Sequence, residues 1–359
     1  MKRFALACVL QLGRYAVLPI VALAGGLFVI WLMLLDDYTR AALVTAPIMF
    51  CLATAAVALA LGILFLPSRA DRSNALAETI GPELWRIWRQ LDPAFTKGNR
   101  TLRIDAAFNA SIGETRGFAG LFRRHVTMTV GLPLLMIFDE RALRAVIAHE
   151  VAHAELQHLS GGTNLLDFLR ACENVLHYAN PDRTVTGRLA ELLLRTLLTW
   201  LNREYRALSR QNELAADGRA AERIGEAEMA RSLALLAGGT TRLRELVFAP
   251  LETDLLGAIS VPATPLQRMA AQLAEIRAGD ELAAAAARAM KEEKDDPDST
   301  HPPFGQRLAN LGYVAIPAIH PVETPAIERV LAPEAARELS ARLDAEWRKM
   351  AQSWVHVGM

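Results

Sequence analysis

His149-Glu150-Val151-Ala152-His153 is the stretch that decides how this sequence is read. It sits inside a run in which Leu143, Val146, Ile147 and Val151 recur at helical spacing, Asp139 stands as a cap before Glu140, and Gly161-Gly162 ends the pattern. On a helix, residues four apart lie one turn above each other on one face. His149 and His153 therefore offer two imidazoles in one direction, the arrangement that two nitrogen ligands of a tetrahedral zinc require. Glu150 lies beside them. Its carboxylate is placed to accept a proton from a zinc-bound water, whose pKa falls to about 7, and to pass it to a leaving amine. The neighbours Ala145 to Ala148 and Val151-Ala152 are apolar, so the polar trio is carried into a stretch where unpaired polar groups are costly. The pattern predicts metal-dependent peptide hydrolysis.

A catalytic zinc takes three protein ligands and keeps one position open. The metzincin continuation needs Gly and then His farther along the same helix, where this chain has Leu156 and Leu159, so His158 is not the third ligand. The better source is Ser209 to Asp217, where Glu213 and Asp217 share one face of an expected helix. Glu213 is placed to bind the metal and Asp217 to accept the free ring N–H of a ligand histidine, fixing its tautomer. The same spacing also suits a solvated helix with Arg219 or Arg223 pairing the acids.

The rest of the chain bounds the setting. Its 359 residues carry 39 basic and 39 acidic side chains, a balance that points away from nucleic acid as a partner. Cys8, Cys51 and Cys172 lack the spacing of a disulfide framework or a thiolate zinc site and fit a reducing compartment. Tyr15 to Leu35 and Ala41 to Pro67 are free of charge, and each reaches the roughly 20 residues a bilayer-crossing helix needs. The connector from Asp36 to Arg40 is short, which predicts a two-helix transmembrane hairpin with the lipid bilayer as a partner. Lys2, Arg3, Arg14, Arg69 and Arg72 flank the hairpin ends, so the positive-inside rule places both ends, and the domain that follows, in the cytoplasm at the inner membrane.

Several separated segments together resemble the membrane zinc endopeptidase family of the CAAX prenyl proteases and the HtpX-like proteases. They are Phe108-Asn109-Ala110-Ser111, Val126 to Leu132 with its Gly-Leu turn, the zinc helix, Glu213 to Asp217, and Thr300-His301-Pro302-Pro303-Phe304-Gly305-Gln306-Arg307. The resemblance runs from about Arg103 to Leu311. It implies a gluzincin fold with His149, His153 and Glu213 as ligands of one zinc per chain, Glu150 as base and acid, and Asp217 behind a ligand. It further implies that Val126, Thr127, Met128 and Thr129, with Asn109 and Ala110 nearby, belong to an edge strand along which an extended polypeptide adds by backbone hydrogen bonds. His301 or Arg307 is expected to stabilise the oxyanion, with a fourth zinc position as the other role for His301. The sequence departs from the HtpX-like pattern at Leu192 to Leu201, which is too short and too charged to span and reads as an amphipathic helix.

The expected architecture is mainly α (α+β): a transmembrane hairpin anchor over residues 1–70, a helical metallopeptidase domain with a small β-sheet over 71–320, and a C-terminal helical extension over 321–359. Residues 226–299 read as a helical and linker insertion, flexible across Lys291 to Asp298. The function these features imply is a membrane-anchored zinc endopeptidase acting on membrane or membrane-adjacent proteins. The alternative is a membrane-tethered binding or chaperone-like module that keeps a non-catalytic zinc site.

Overall fold

A computed structural model of the chain describes residues 2–34, 37–65, 73–95, 99–116, 125–256, 258 and 260–355. In chain order the elements begin with α1 (Lys2–Leu12), α2 (Leu18–Met33), α3 (Thr39–Phe65) and α4 (Pro82–Leu91). The strands follow as β1 (Arg100–Asp105), β2 (Ala110–Thr115) and β3 (His125–Gly131). Next come α5 (Leu132–Ile137), α6 (Glu140–Leu159), α7 (Gly162–Ala179), α8 (Val185–Ile224) and α9 (Glu226–Leu243). The shorter helices α10 (Ala249–Leu256), α11 (Pro265–Ala271), α12 (Leu273–Ile276) and α13 (Gly279–Glu292) precede α14 (Phe304–Asn310), α15 (Ala326–Val330) and the closing α16 (Pro333–Val355). Helix dominates, as expected, and the small sheet is present. The chain divides into two compact units, one of residues 1–70, 114–125 and 157–209, the other of 71–113, 126–156 and 210–359. The first unit thus gathers α7 and the early part of α8 with the N-terminal helices, a grouping that differs from the linear division at residue 70.

In the first unit, Val17, Ile63, Leu165, Phe168 and Leu201 form a core of its own. The helices α2 and α3 pair through Phe28, Trp31 and Phe50, whose rings meet at 5.3–5.9 Å, and through the Trp31 Nε1–H donated to Thr45 Oγ1 at 3.0 Å. By length and composition alone, Leu43–Phe65 suffices to cross a bilayer. The first expected span is more complicated. Tyr15 to Val17 lie in a tight 3-10 turn, α2 has only 16 residues, and α1 joins it at a 60° bend. The bend leaves backbone carbonyls without helical partners, and Asn164 of α7 donates its side-chain amide to those of Leu10 and Gln11 at 2.8 and 3.2 Å. Arg14, counted among the charges flanking the hairpin, is buried in a bidentate pair with Asp167, both contacts at 2.8 Å. Arg69 and Arg72 lie outside the described residues.

In the second unit the sheet order is β1-β3-β2. β1 and β3 are parallel, with Arg100 opposite Val126, Leu102 opposite Met128 and Asp105 opposite Gly131. This corrects the expectation that Val126, Thr127, Met128 and Thr129 form an edge. They occupy the middle strand, where neighbours on both sides use the backbone groups and leave none for an added chain. The far side of β1 is covered too, because Leu76 N donates to Leu102 O at 2.7 Å and Ile104 N to Asn74 O at 3.2 Å. Among the described residues, β2 is the strand left with an unpaired side.

The sheet feeds directly into the motif helix. Gly131 N donates to Asn109 O at 2.8 Å, and α5 begins at the next residue with Pro133 in its first turn. A Cβ on Gly131 would stand 1.6 Å from the carbonyl oxygen of Ala107. Only glycine lets the two backbones approach this closely. Gly131→Ala is therefore expected to destabilise the protein by at least the roughly 1–3 kcal/mol typical of overpacking. Chemical denaturation of the two proteins measures it, and equal midpoints would contradict the crowding described.

Candidate metal centre

Asp139 caps α6 as its sequence position suggested: its carboxylate accepts from Ala142 N at 2.8 Å. The helix then carries Leu143, Val146, Ile147 and Val151 into the core and stops at Leu159, ahead of Gly161 at φ +76. His149 and His153 stand one turn apart on this helix, their ring centroids 6.0 Å apart. They meet α8, whose continuous 40 residues hold both the amphipathic Leu192 to Leu201 stretch and the acids Glu213 and Asp217. Both acids are fully buried.

Glu213 is the hub. His153 Nε2 lies 3.0 Å from its Oε1, His149 Nε2 lies 3.5 Å from its Oε2, and His301 Nδ1 reaches Oε1 at 2.9 Å. Glu150 Oε1 is 4.0 Å from His149 Nε2. Asp217 stands behind: its Oδ1 is 2.9 Å from His149 Nδ1, close but without the alignment of a hydrogen bond. Arg307 of α14 clamps Asp217 bidentately, donating Nε and Nη2 at 2.8 and 2.7 Å, while its Nη2 also lies 3.4 Å from Glu213 Oε2. The structure thus brings together His149, Glu150, His153, Glu213, Asp217, His301 and Arg307, drawn from three separate stretches of chain. It gives Arg307 a task the sequence did not suggest. Two of its nitrogens are committed to Asp217, so it acts by holding that carboxylate rather than as a free oxyanion donor.

The electrostatics follow from burial and pairing. Burial opposes the His149 imidazolium, yet the carboxylates of Asp217 and Glu213 overcome it and raise its pKa to about 10. His153 is also raised, burial again being outweighed by Glu213. Burial works against the Glu213 carboxylate, but the three histidines and Arg307 hold it well below the usual carboxylate range. Asp217 is likewise lowered against burial, chiefly by Arg307. Glu150 goes the other way, because burial raises it more than the neighbouring histidines lower it.

The donor set suits a metal. Two ligands bound at roughly 2.0–2.1 Å to one tetrahedral zinc stand about 3.3 Å apart, and the two histidine–Glu213 separations of 3.0 and 3.5 Å bracket that value. Both Glu213 oxygens are buried without an aligned hydrogen-bond partner, as are Nδ1 of His149 and of His153. Among the described residues no group of three or more His, Cys, Asp or Glu side chains stands at metal-holding spacing, so the fit rests on donor chemistry, the two histidine–Glu213 separations and these orphaned atoms.

Residues 98–315 match the model of Peptidase family M48. The chain belongs to peptidase family M48. The match spans every residue of the cluster and agrees with the resemblance carried by the separated motifs, identifying a metallopeptidase. No similarity to a curated protein or to a solved structure reached significance.

Within this M48 domain the site opens into a cavity of about 160 Å³ lined by Asn109, Val146, His149, Glu150, Glu213, His301 and Arg307 together with α9. The contribution of Met229, Ser232, Leu233 and Leu236 from α9 was missed, since residues 226–299 read as an insertion. The recurrence of Met229, Leu233 and Leu236 on one helical face was the signal available. The charged run after α13 is not a free linker either: Arg210 donates to Asp296 O at 2.7 Å and pairs with Asp295, and Glu293 accepts from Phe304 N at 2.5 Å. These contacts deliver His301 and Arg307 to the site.

Removing one partner of a buried ion pair costs roughly 3–5 kcal/mol. Arg307→Ala is expected to lower the stability of chelator-treated protein by about that amount, with Arg307→Lys recovering only part because lysine lacks the fork that grips both Asp217 oxygens. Urea unfolding of the three proteins measures it. A loss below about 1 kcal/mol would remove the clamp from this account of the site.

Proposed function

We propose that the chain is a membrane-anchored zinc endopeptidase that hydrolyses peptide bonds of membrane or membrane-adjacent polypeptides. The observation that carries this reading is the convergence of His149, His153 and Glu213 beside a buried Glu150 in an M48 domain. One zinc per chain would be held by those three ligands. When bound, it supplies Lewis acidity at the scissile carbonyl and acidifies water at neutral pH.

The remaining chemistry belongs to the chain. Glu150 accepts the proton of the attacking water and returns it to the departing amine, a relay its place one residue from His149 allows. Asp217, gripped by Arg307, orients the His149 ring from behind. With Arg307 engaged there, His301 is the side chain with free access to the cavity, 60% exposed, and the donor available to the oxyanion. Substrate backbone adds to the open side of β2, starting next to Asn109, whose exposed side chain also lines the site cavity. Hydrogen bonds to backbone give sequence-tolerant binding. The apolar pair α2 and α3 supports attachment to a bilayer, with Lys2 and Arg3 favouring a cytoplasmic N-terminus at the inner membrane.

The purified full chain is expected to contain about one zinc and to cleave casein. Glu150→Gln should keep the metal and lose cleavage by on the order of 10²-fold or more, whereas His149→Ala should lose the metal. Metal analysis and casein hydrolysis read both. Metal without cleavage in the wild type would favour a non-catalytic binding module, and cleavage surviving Glu150→Gln would defeat the mechanism.

A further inference from the structure

The second unit holds a larger cleft, of about 790 Å³, that shares no lining residue with the metal centre. It is bounded by the start of α6, the start of α9, the segment from Tyr313 to Thr324 and Arg329 of α15. Its volume falls in the range of roughly 300–1,000 Å³ usual for small-molecule sites.

The charges in it are unevenly used. Arg231 is satisfied within the protein, donating to both Asp139 oxygens at 2.8 and 2.9 Å and to Glu228 at 2.6 and 3.0 Å. Among the described residues Arg144 reaches the neutral amide oxygen of Gln90, at 3.2 Å, and no carboxylate. Arg141, Arg329 and His320 are exposed and make no hydrogen bond or ion pair among the described residues. The lining carries four arginines against three acids, before His320 is counted. Cations of this kind, fixed around a concave surface, attract an anion, and guanidinium forks match phosphate geometry best. Tyr313, Pro317 and Pro321 add apolar side-chain surface to the lining, the kind of surface against which a ring packs.

We propose that this cleft is a binding site for a small organic phosphate of nucleotide size, its phosphates held by Arg141, Arg144 and Arg329 and its ring against Tyr313 and the prolines. The site stands apart from the peptidase chemistry and does not depend on it.

Isothermal titration of the full-length protein with ATP, without divalent ions, tests the proposal. Saturable binding is expected, weakened by added salt, competed by inorganic phosphate, and at least tenfold tighter than binding of adenosine. The double variant Arg141→Ala/Arg329→Ala should bind ATP at least tenfold more weakly while its circular dichroism and unfolding midpoint stay unchanged, since both side chains are exposed and unpartnered. The proposal is overturned if the wild type shows no saturable ATP binding, if the double variant binds ATP as tightly as the wild type, or if hexaglutamate binds where ATP does not.

Discussion

Glu213 is a carboxylate at zero exposure, and a lone charge so placed would cost far more than a domain of this size can spare. The arrangement around it answers that cost. Two imidazoles from α6 face its oxygens, His301 comes from the loop before α14, and Arg307 reaches it while gripping Asp217. The meeting of α6, α8 and α14 is thus fixed by the need to compensate one buried charge. The same compensation produces the chemistry, because groups gathered to neutralise a carboxylate are also groups able to share it with a metal ion.

The shell behind the site shows how the fold protects this arrangement. Asp217 sits one helical turn after Glu213 and holds the far side of His149, while Arg307 holds Asp217. Each polar group is backed by another, in a region where an unpaired one would be expensive. The surrounding apolar frame comes from Val146 on α6 and Met229, Leu233 and Leu236 on α9, which narrow the cavity and limit water around Glu150. Burial opposes ionisation of both acids, and their partners separate them in character: Glu213 is kept ionised by the histidines and Arg307, whereas Glu150, with weaker compensation, has its pKa raised.

Much of the site was legible in the sequence because its parts are local. His149, Glu150 and His153 occupy one turn of one helix, and Glu213 and Asp217 one turn of another, so helical periodicity alone assigns each pair to a face. The task of Arg307 was less legible. Nothing in its neighbourhood tells whether a guanidinium points into open space or into a carboxylate 90 residues earlier in the chain. The wall contributed by α9 was hidden for a related reason: an apolar helical stripe says that something is covered, without saying what.

The sheet and the N-terminal helices make the same division. The resemblance carried by Val126 to Leu132 with its Gly-Leu turn implies a strand, but whether a strand lies at an edge depends on where its neighbours go, and β1 pairs on the side the sequence left open. Similarly, the apolar runs near the N-terminus follow from composition, whereas the 60° bend and the burial of Arg14 against Asp167 depend on α7. By itself the sequence determined the helical elements, the paired ligands and the presence of apolar segments, all properties of neighbouring residues. The tertiary structure decided which strand keeps a free edge, which cation stands behind the buried acids and which helix walls the cavity, because each requires two stretches distant in the chain to share one space.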